Sequence, residues 1–205
     1  WRTIEPLLGH PDPTPEHEAK YGGDNMDYVT LAINSVRGDA VEAVLLYAWW
    51  CAESIVPDGE SRREYRLLSN DVAEAGRAFD SRLDAAQEPS PSVHSLFGNY
   101  LPHLEALDPE WTREHISLVF PDHEALAEKR QAAWDGYISY SRLHSSVAAM
   151  IRDEYLFQIR RIAQLRPEEV DEQQAKHLAQ HLSALYIWGM ESLDSDMLGA
   201  FYDIP

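Results

Sequence analysis

Cysteine is almost absent from this sequence of 205 residues, because Cys51 is its only cysteine. A single thiol excludes an internal disulfide framework, which would otherwise be a common way to stabilise a chain. Cys51 lies within the apolar run 43–52, so we interpret it as a small buried hydrophobe rather than a redox or metal-binding group. This cysteine usage is typical of a reducing compartment, and it predicts a cytoplasmic location.

Basic side chains are also scarce: 17 Lys and Arg stand against 35 Asp and Glu, which gives a net charge of −18. Such a charge repels phosphate backbones and anionic lipids, so nucleic acid and membranes are disfavoured as partners. No run approaches the roughly 20 apolar residues needed to cross a bilayer, and no charged-then-apolar leader is visible. We therefore expect a soluble protein. Because the sequence begins with Trp1 rather than Met, we also expect it to be either a piece of a longer polypeptide or a chain with a processed terminus.

Recognisable catalytic and cofactor motifs are missing as well. The sequence has no Walker loop, nucleophile elbow or dinucleotide fingerprint, and no EF-hand loop. No glutamate is followed three positions later by a histidine, as a di-iron bundle requires. These gaps predict a chain that is not an enzyme and that needs no cofactor.

Alternating polar and apolar runs, the signature of β-strands, are not found, whereas apolar residues recur at three- and four-residue steps. The clearest case is the segment Asp27–Ile55, which we interpret as one long helix. Its residues 43–52 are apolar on every side, so we expect other helices to surround it. Further helix starts are predicted at Ser61, Ser90-Pro91 and Asp108-Pro109, where capping residues and prolines occur in the preferred order.

These patterns together predict an all-α fold, either an irregular multi-helix bundle or a short non-repetitive α-solenoid. No fixed sequence period is visible that would favour a regular repeat. Pro11, Pro13, Pro15 and the pair Gly22-Gly23 predict an extended lead-in over residues 1–25. The remainder, residues 26–205, is predicted to form a single all-helical domain.

Asn34 and Arg37 are candidate ligand- or partner-binding residues, because they interrupt the apolar pattern of the predicted central helix. In one interpretation, Arg37 presents its planar guanidinium to a carboxylate or phosphate in a crevice, and Gly38 permits close approach. In the other, Arg37 bonds an internal acid such as Glu42 or helix-end carbonyls, and Gly38 lets helices touch. The sequence leaves both interpretations open.

His177 and His181 form the candidate metal pair, since a four-residue step places two imidazoles on one helical face. The spacing alone is weak evidence, because Leu178 stands where a zinc protease would carry its catalytic glutamate. In the alternative interpretation no metal is bound, and the two histidines form a polar edge of the helix beside the apolar stripe of Leu178 and Leu182.

Several strings become familiar when they are taken together: residues 31–40 (LAINSVRGDA), 97–104, 108–111 (DPEW), 119–121 (VFP), 133–137 (AWDGY), 151–155 (IRDEY) and 177–182 (HLAQHL). In this order they resemble the helical carboxy-terminal regions of large, mostly uncharacterised bacterial multidomain proteins. Some of those proteins look like signal-transduction NTPases or are associated with phage defence. The resemblance covers the chain from Asp27 onward. It implies a cytoplasmic region that senses, scaffolds or regulates while another domain performs the chemistry.

The leading hypothesis is therefore a non-enzymatic helical scaffold, sensor or protein-interaction region of a larger bacterial protein, and the resemblance implies a role in phage defence. Its partners would be another protein or other domains of the parent polypeptide, bound in an apolar or charged groove with Arg37 at the floor. The alternative is a metal-dependent hydrolase or a metal-regulated bundle that uses His177 and His181.

Overall fold

The computed structural model describes residues 1–22, 26–202 and 204, and it shows an all-α protein. Among these residues there are thirteen α-helices and no β-strand, and the helices pack without a repeat. The predicted fold class is confirmed. Backbone contacts divide the chain into two compact units, Trp1–Ser141 and Arg142–Pro205, whereas the sequence predicts one domain over residues 26–205.

The first unit contains nine of the described α-helices, joined by short turns. Their bounds are α1 (Glu5–Leu8), α2 (Pro15–Tyr21), α3 (Tyr28–Ile33), α4 (Val36–Ile55), α5 (Ala73–Leu83), α6 (Pro91–Asn99), α7 (Leu101–Leu107), α8 (Pro109–Val119) and α9 (Ala127–Tyr140). Between them lie two 3₁₀ turns, Arg62–Glu64 and Glu124–Leu126, and one π-helical turn, Leu67–Asp71.

The second unit contains the other four α-helices, and one 3₁₀ turn, Pro167–Glu169, lies between the second and third of them. The helix bounds are α10 (Ser145–Met150), α11 (Arg152–Ile162), α12 (Glu172–Ile187) and α13 (Asp196–Tyr202). Ser195 precedes α13, and its hydroxyl accepts a hydrogen bond from the Leu198 amide.

The lead-in predicted to be extended contains α1 and α2, so that prediction is wrong for the described residues. Pro6 and Pro15 each lie in the first turn of a helix, whereas Pro11 and Pro13 lie between the two helices. Pro15 is the first residue of α2, where its missing N–H leaves no bond unmade, and the Thr14 side chain caps the helix by accepting from the His17 amide. Gly23 and the predicted boundary after residue 25 lie outside the described residues.

The single long helix predicted over residues 27–55 is divided into α3 and α4. Ser35 causes the break, because its hydroxyl accepts a hydrogen bond from the Gly38 amide and so caps a new helix. Helix α4 is not surrounded on all sides either: Leu46 is 62% exposed and Trp50 is 66% exposed. Cys51, predicted to be buried, is only half-buried.

The helix that is surrounded is α6, whose residues 92–98 are all buried. Helix α6 packs most extensively against α9, and glycine makes the close approach possible. A Cβ atom on Gly98 would lie 1.8 Å from the carbonyl oxygen of Ala133, and one on Gly136 would lie 2.3 Å from that of Ser95. Both glycines are therefore required by backbone-to-backbone contact between α6 and α9.

Two predicted helix starts are confirmed and one is wrong. Ser90 caps α6 and Asp108 caps α8, each followed by proline. The start predicted at Ser61 gives only a 3₁₀ turn, and α5 begins at Ala73. The Asp108 carboxylate explains the interruption, because it also accepts hydrogen bonds from the amides of Leu68 and Ser69 and so replaces helical partners there.

Candidate functional site

Arg37 lies in the first turn of α4 and is only 7% exposed. Its Nε and Nη2 atoms each donate to one carboxylate oxygen of Glu88 at 2.9 Å, which is the bidentate geometry of a strong charge-assisted pair. Nη1 and Nη2 also donate to the backbone carbonyls of His10 and Pro13, at 2.8 and 2.9 Å. The guanidinium is therefore occupied by internal partners.

Glu88 is fully buried and joins two cations. Besides Arg37, it accepts from Arg82 at 3.1 Å and from the Ser90 amide at 3.1 Å. Arg82 in turn donates to the carbonyl of Leu8. This buried ionic cluster, defined by Arg37, Arg82 and Glu88, ties the segment between α1 and α2 to the body of the first unit.

These contacts favour the structural interpretation of Arg37, with Glu88 in the place that the sequence reasoning gave to Glu42. Gly38 agrees with this interpretation, since a Cβ atom there would lie 2.0 Å from the Ala32 carbonyl oxygen. Arg37 lines neither the cavity of about 620 Å³ in the second unit nor the cavity of about 240 Å³ in the first.

Asn34, the other residue of that candidate site, is exposed at the end of α3. Its side-chain amide donates to the carbonyl of Thr30 at 2.7 Å, as a local helix-terminal contact. Asn34 therefore lies on the surface while Arg37 is buried.

His177 and His181 are both half-buried on α12. Nε2 of His177 lies 2.8 Å from the Gln173 side-chain nitrogen, and Nδ1 of His181 lies 2.7 Å from the Tyr155 hydroxyl. Burial, with the nearby charge of His177, lowers the pKa of His181 to about 4, so its imidazole is neutral at pH 7.

A third ligand for that histidine pair is not found in the part of the chain that the structure describes. There, no three His, Cys, Asp or Glu residues are grouped so that they could hold a metal ion. Buried Nδ1 of His177 has no hydrogen-bond partner among those residues. Two imidazoles alone are short of the three protein ligands that a catalytic zinc site uses.

A cavity of about 620 Å³ in the second unit forms an apolar groove. Nine of its ten lining residues are apolar or aromatic, and the tenth is Glu172. We call it the apolar groove, and its residues are Ile162, Leu165, Pro167, Val170, Glu172, Ala175, Leu178, Phe201, Tyr202 and Ile204.

Three helices and one 3₁₀ turn build the apolar groove. Helix α11 ends at Ile162, and the chain then turns through the 3₁₀ segment 167–169 before Asp171 caps α12. The Asp171 carboxylate accepts from the amides at positions 173 and 174, which fixes where α12 begins. Leu178 is buried, whereas Tyr202 of α13 is 67% exposed, so the groove has an apolar interior and an open aromatic edge.

The turn that borders the groove is acidic. Residues 166–172 contain four carboxylates, at positions 168, 169, 171 and 172, and one cation, Arg166. Arg166 is already ion-paired with Glu168 and Glu169 at 3.1 and 2.6 Å. The apolar groove therefore lies beside a surface with a local excess of negative charge.

Sequence reasoning missed most of this groove. The sequence pattern places Leu178 in a helical stripe with Leu182, and it does not single out Leu165 or Val170. The position of Leu165 and Val170 in the sequence could have indicated the groove. These two apolar residues flank the charged turn 166–169, and neither belongs to a helical stripe.

No helix in the described part of the chain is both long enough and apolar enough to cross a membrane. Comparisons with models of known protein families, with curated proteins and with solved structures gave no match.

Proposed function

We propose that this chain is a non-enzymatic protein-interaction region of a larger bacterial protein, and that its apolar groove binds an amphipathic segment carrying basic residues. The observation that carries the proposal is the groove itself, an open apolar cavity bordered by carboxylates.

The apolar lining supports a protein segment as the occupant. Peptides that bind in helical grooves bury apolar side chains spaced along one helix face, and the groove volume of about 620 Å³ can accept such anchors. Leu165 and Val170 are half-buried in the free chain and would lose their remaining exposure to water on binding.

The charge around the groove supports basic residues beside those anchors. Glu172 lines the groove and Asp171 stands next to it, while the whole chain has a net charge of −18. A segment with lysines or arginines next to its apolar face would be attracted over about a Debye length, and an acidic segment would be repelled.

The resemblance to helical carboxy-terminal regions of bacterial multidomain proteins agrees with this proposal. On that resemblance, the occupant belongs to another domain of the parent polypeptide or to a protein that acts with it in phage defence. The chemistry of the occupant, apolar with basic flanks, is the same in both cases.

Two labelled model peptides test the proposal, one built from leucine and lysine at helical spacing and one of equal length built from leucine and glutamate. Fluorescence anisotropy should show that the chain binds the leucine–lysine peptide at least about tenfold more tightly, a difference of about 1.4 kcal/mol. Raising the salt concentration should weaken that binding, because the charge contribution is screened.

Two tyrosine variants provide the matched control. Tyr202→Lys places a positive charge at the edge of the groove, and Tyr186→Lys places the same charge on α12 at a tyrosine that is 47% exposed and outside the groove. Tyr202→Lys should weaken binding by about tenfold or more, and Tyr186→Lys should leave it nearly unchanged. Equal affinity for the two peptides, or equal effects of the two variants, contradicts the proposal.

A further inference from the structure

The carboxy-terminal end of α12 and the turn after it carry large apolar side chains that remain in contact with water. Ile187 is 76% exposed, which is the highest value for a large apolar side chain among the described residues. Its neighbours Tyr186, Trp188, Met190 and Leu193 are between 37% and 54% exposed. We call these five residues the α12-end surface. They lie within eight consecutive positions, so they are close together in the fold.

The α12-end surface is uncharged. Residues 177–190 contain no Asp, Glu, Lys or Arg, although a quarter of the whole chain consists of these residues. Glu191 is the one charged residue between positions 186 and 193, and its side chain is only 7% exposed. Its two oxygens accept from Nε and Nη2 of Arg152 at 2.7 and 3.1 Å, so its charge is neutralised within the chain. Asp194, directly after Leu193, borders the surface.

The turn that presents these side chains has a fixed backbone. Gly189 follows the end of α12 with φ of +72°, a left-handed conformation that side chains other than glycine rarely adopt. The Met190 amide donates to the carbonyl of Leu185 at 2.9 Å, and the Gly189 amide donates to that of Tyr186 at 3.0 Å. These two bonds form the Schellman motif that closes a helix. The exposed side chains are therefore held in place before any partner binds, which lowers the entropy cost of binding.

The size of the α12-end surface fits an interface. At about 200 Å² for each side chain, the exposed fractions correspond to roughly 500 Å² of surface. This area lies within the range of about 300–600 Å² for the largest apolar patch of a monomer, and such patches are often functional. Covering two of these surfaces with each other would bury about 1,000 Å², which reaches the lower size limit of a specific interface.

We propose that two copies of this chain form a symmetric dimer through the α12-end surface. In such a dimer each surface faces its own copy, so it must complement itself. Uncharged apolar side chains meet this requirement, whereas the acidic border of the apolar groove would face its own negative charge. A partner selected by charge, either basic or acidic, would find no exposed charge to pair with among residues 186–190.

The charge of the whole chain gives the dimer a characteristic salt dependence. Each copy has a net charge of −18, which opposes the approach of a second copy. Salt screens this repulsion, so dimerisation should become stronger as the salt concentration rises. Binding of the leucine–lysine peptide to the apolar groove should instead become weaker. The two kinds of binding can therefore be told apart in the same protein.

Sedimentation equilibrium at chain concentrations up to about 1 mM tests the proposal, because an interface at the lower size limit is weak. The average mass of the parent chain should rise with concentration from 23.4 kDa towards twice that value. Ile187→Glu should weaken dimerisation by at least about a hundredfold, since a symmetric dimer contains the new carboxylate twice and brings the two like charges together.

Leu46→Glu is the matched control. Leu46 is 62% exposed on α4 of the first unit, and the substitution changes the net charge by the same amount. It should alter dimerisation by less than about twofold. Ile187 does not line the apolar groove, so Ile187→Glu should leave binding of the leucine–lysine peptide nearly unchanged. The dimer and the peptide-binding groove are thus tested independently.

A dilution series of the parent chain, followed by methyl-detected NMR, gives a second measurement that needs no substitution. The methyl signals of Ile187 and Leu193 should shift with chain concentration, and those of Leu46 should not. The proposal is overturned if the average mass stays at that of one copy up to about 1 mM, or if the shifts centre on Leu46. Equal effects of Ile187→Glu and Leu46→Glu, or a dimer that dissociates when salt is added, would overturn it as well.

Discussion

Replacing Glu88 by glutamine should destabilise the first unit strongly, because it removes the only carboxylate of the buried ionic cluster as defined above. Arg37 and Arg82 would then be left buried with a neutral amide between them, and Arg37 would lose half of its bidentate pair. The glutamine side chain has nearly the same shape, so the change in packing is small.

The expected magnitude follows from the burial of this pair. Glu88 is 0% exposed, so its charge is not screened by solvent, and removing one partner of a buried ion pair costs about 3–5 kcal/mol. A domain has a total free energy of unfolding of about 5–15 kcal/mol, so the loss is a large fraction of it. At about 2–4 °C for each kcal/mol, the melting temperature should fall by about 10 °C.

Glu110→Gln is the matched control for this experiment. Glu110 is also ion-paired with an arginine, Arg66, but its side chain is 56% exposed, so its pair should contribute less than about 1 kcal/mol. Urea unfolding of both variants and the parent chain measures the two differences.

Hydrogen exchange provides a second readout that is specific to the lead-in. The amides of Val36 and Arg37 donate to the side chain and carbonyl of Asp12, so their protection reports whether this segment stays docked. Both amides should exchange faster in Glu88→Gln. If Glu88→Gln is no more destabilising than Glu110→Gln, or if these amides keep their protection, the structural role assigned to the buried ionic cluster is wrong.

Three further predictions concern other parts of the chain. The free energy of unfolding should fall as pH drops from about 6.5 towards 4, because His94 and His181 bind protons in the unfolded chain at a higher pH than they do in the folded chain. The free energies of unfolding that urea titrations give at pH 7.5 and at pH 5 should differ by about 1–2 kcal/mol for each histidine. Gly98→Ala should cost about 3 kcal/mol or more, whereas Gly199→Ala, with open space around its Cβ, should be neutral or stabilising, and equal effects in urea unfolding would refute the close α6–α9 contact. Metal analysis of protein purified without an affinity tag should find no stoichiometric zinc, iron or manganese; one equivalent that disappears in a His177→Ala, His181→Ala variant would instead support the metal hypothesis.

Local signals in the sequence predicted the helix starts well. Ser90 and Asp108 cap helices as expected, because capping involves only residues within one turn of each other. Ser61 shows the limit of such signals. Its helix is interrupted by the side chain of Asp108, a residue 40 positions from Leu68, and no local pattern contains that contact.

Burial was harder to predict than secondary structure. Helix α4 has more apolar residues but leaves Trp50 exposed, while α6 is surrounded although it contains Ser92, Ser95 and Gly98. Small residues allow helices to approach closely, and their hydroxyls can be satisfied within the helix, as Ser95 does by donating to the Ser92 carbonyl. The spacing of apolar residues in the sequence does not predict this kind of burial.

The candidate sites were predicted least well, since their partners are distant in the chain. Arg37 was identified as a polar residue that needs a buried partner, but that partner, Glu88, is 51 positions away. Leu165 and Val170 become groove residues only because α13 packs beside them in the fold. The sequence shows which side chains need partners, and the fold determines which partners they meet.

A methyl-detected NMR titration with the leucine–lysine peptide tests the central claim, that the apolar groove is the docking surface, most directly. The account predicts chemical-shift changes at the methyl groups of Leu165, Val170 and Ile204, which line the groove. It predicts none at Leu46, an exposed leucine of the first unit. The claim would be contradicted if the chemical-shift changes were centred on Leu46, or if none of these methyl groups changed its chemical shift at saturating peptide.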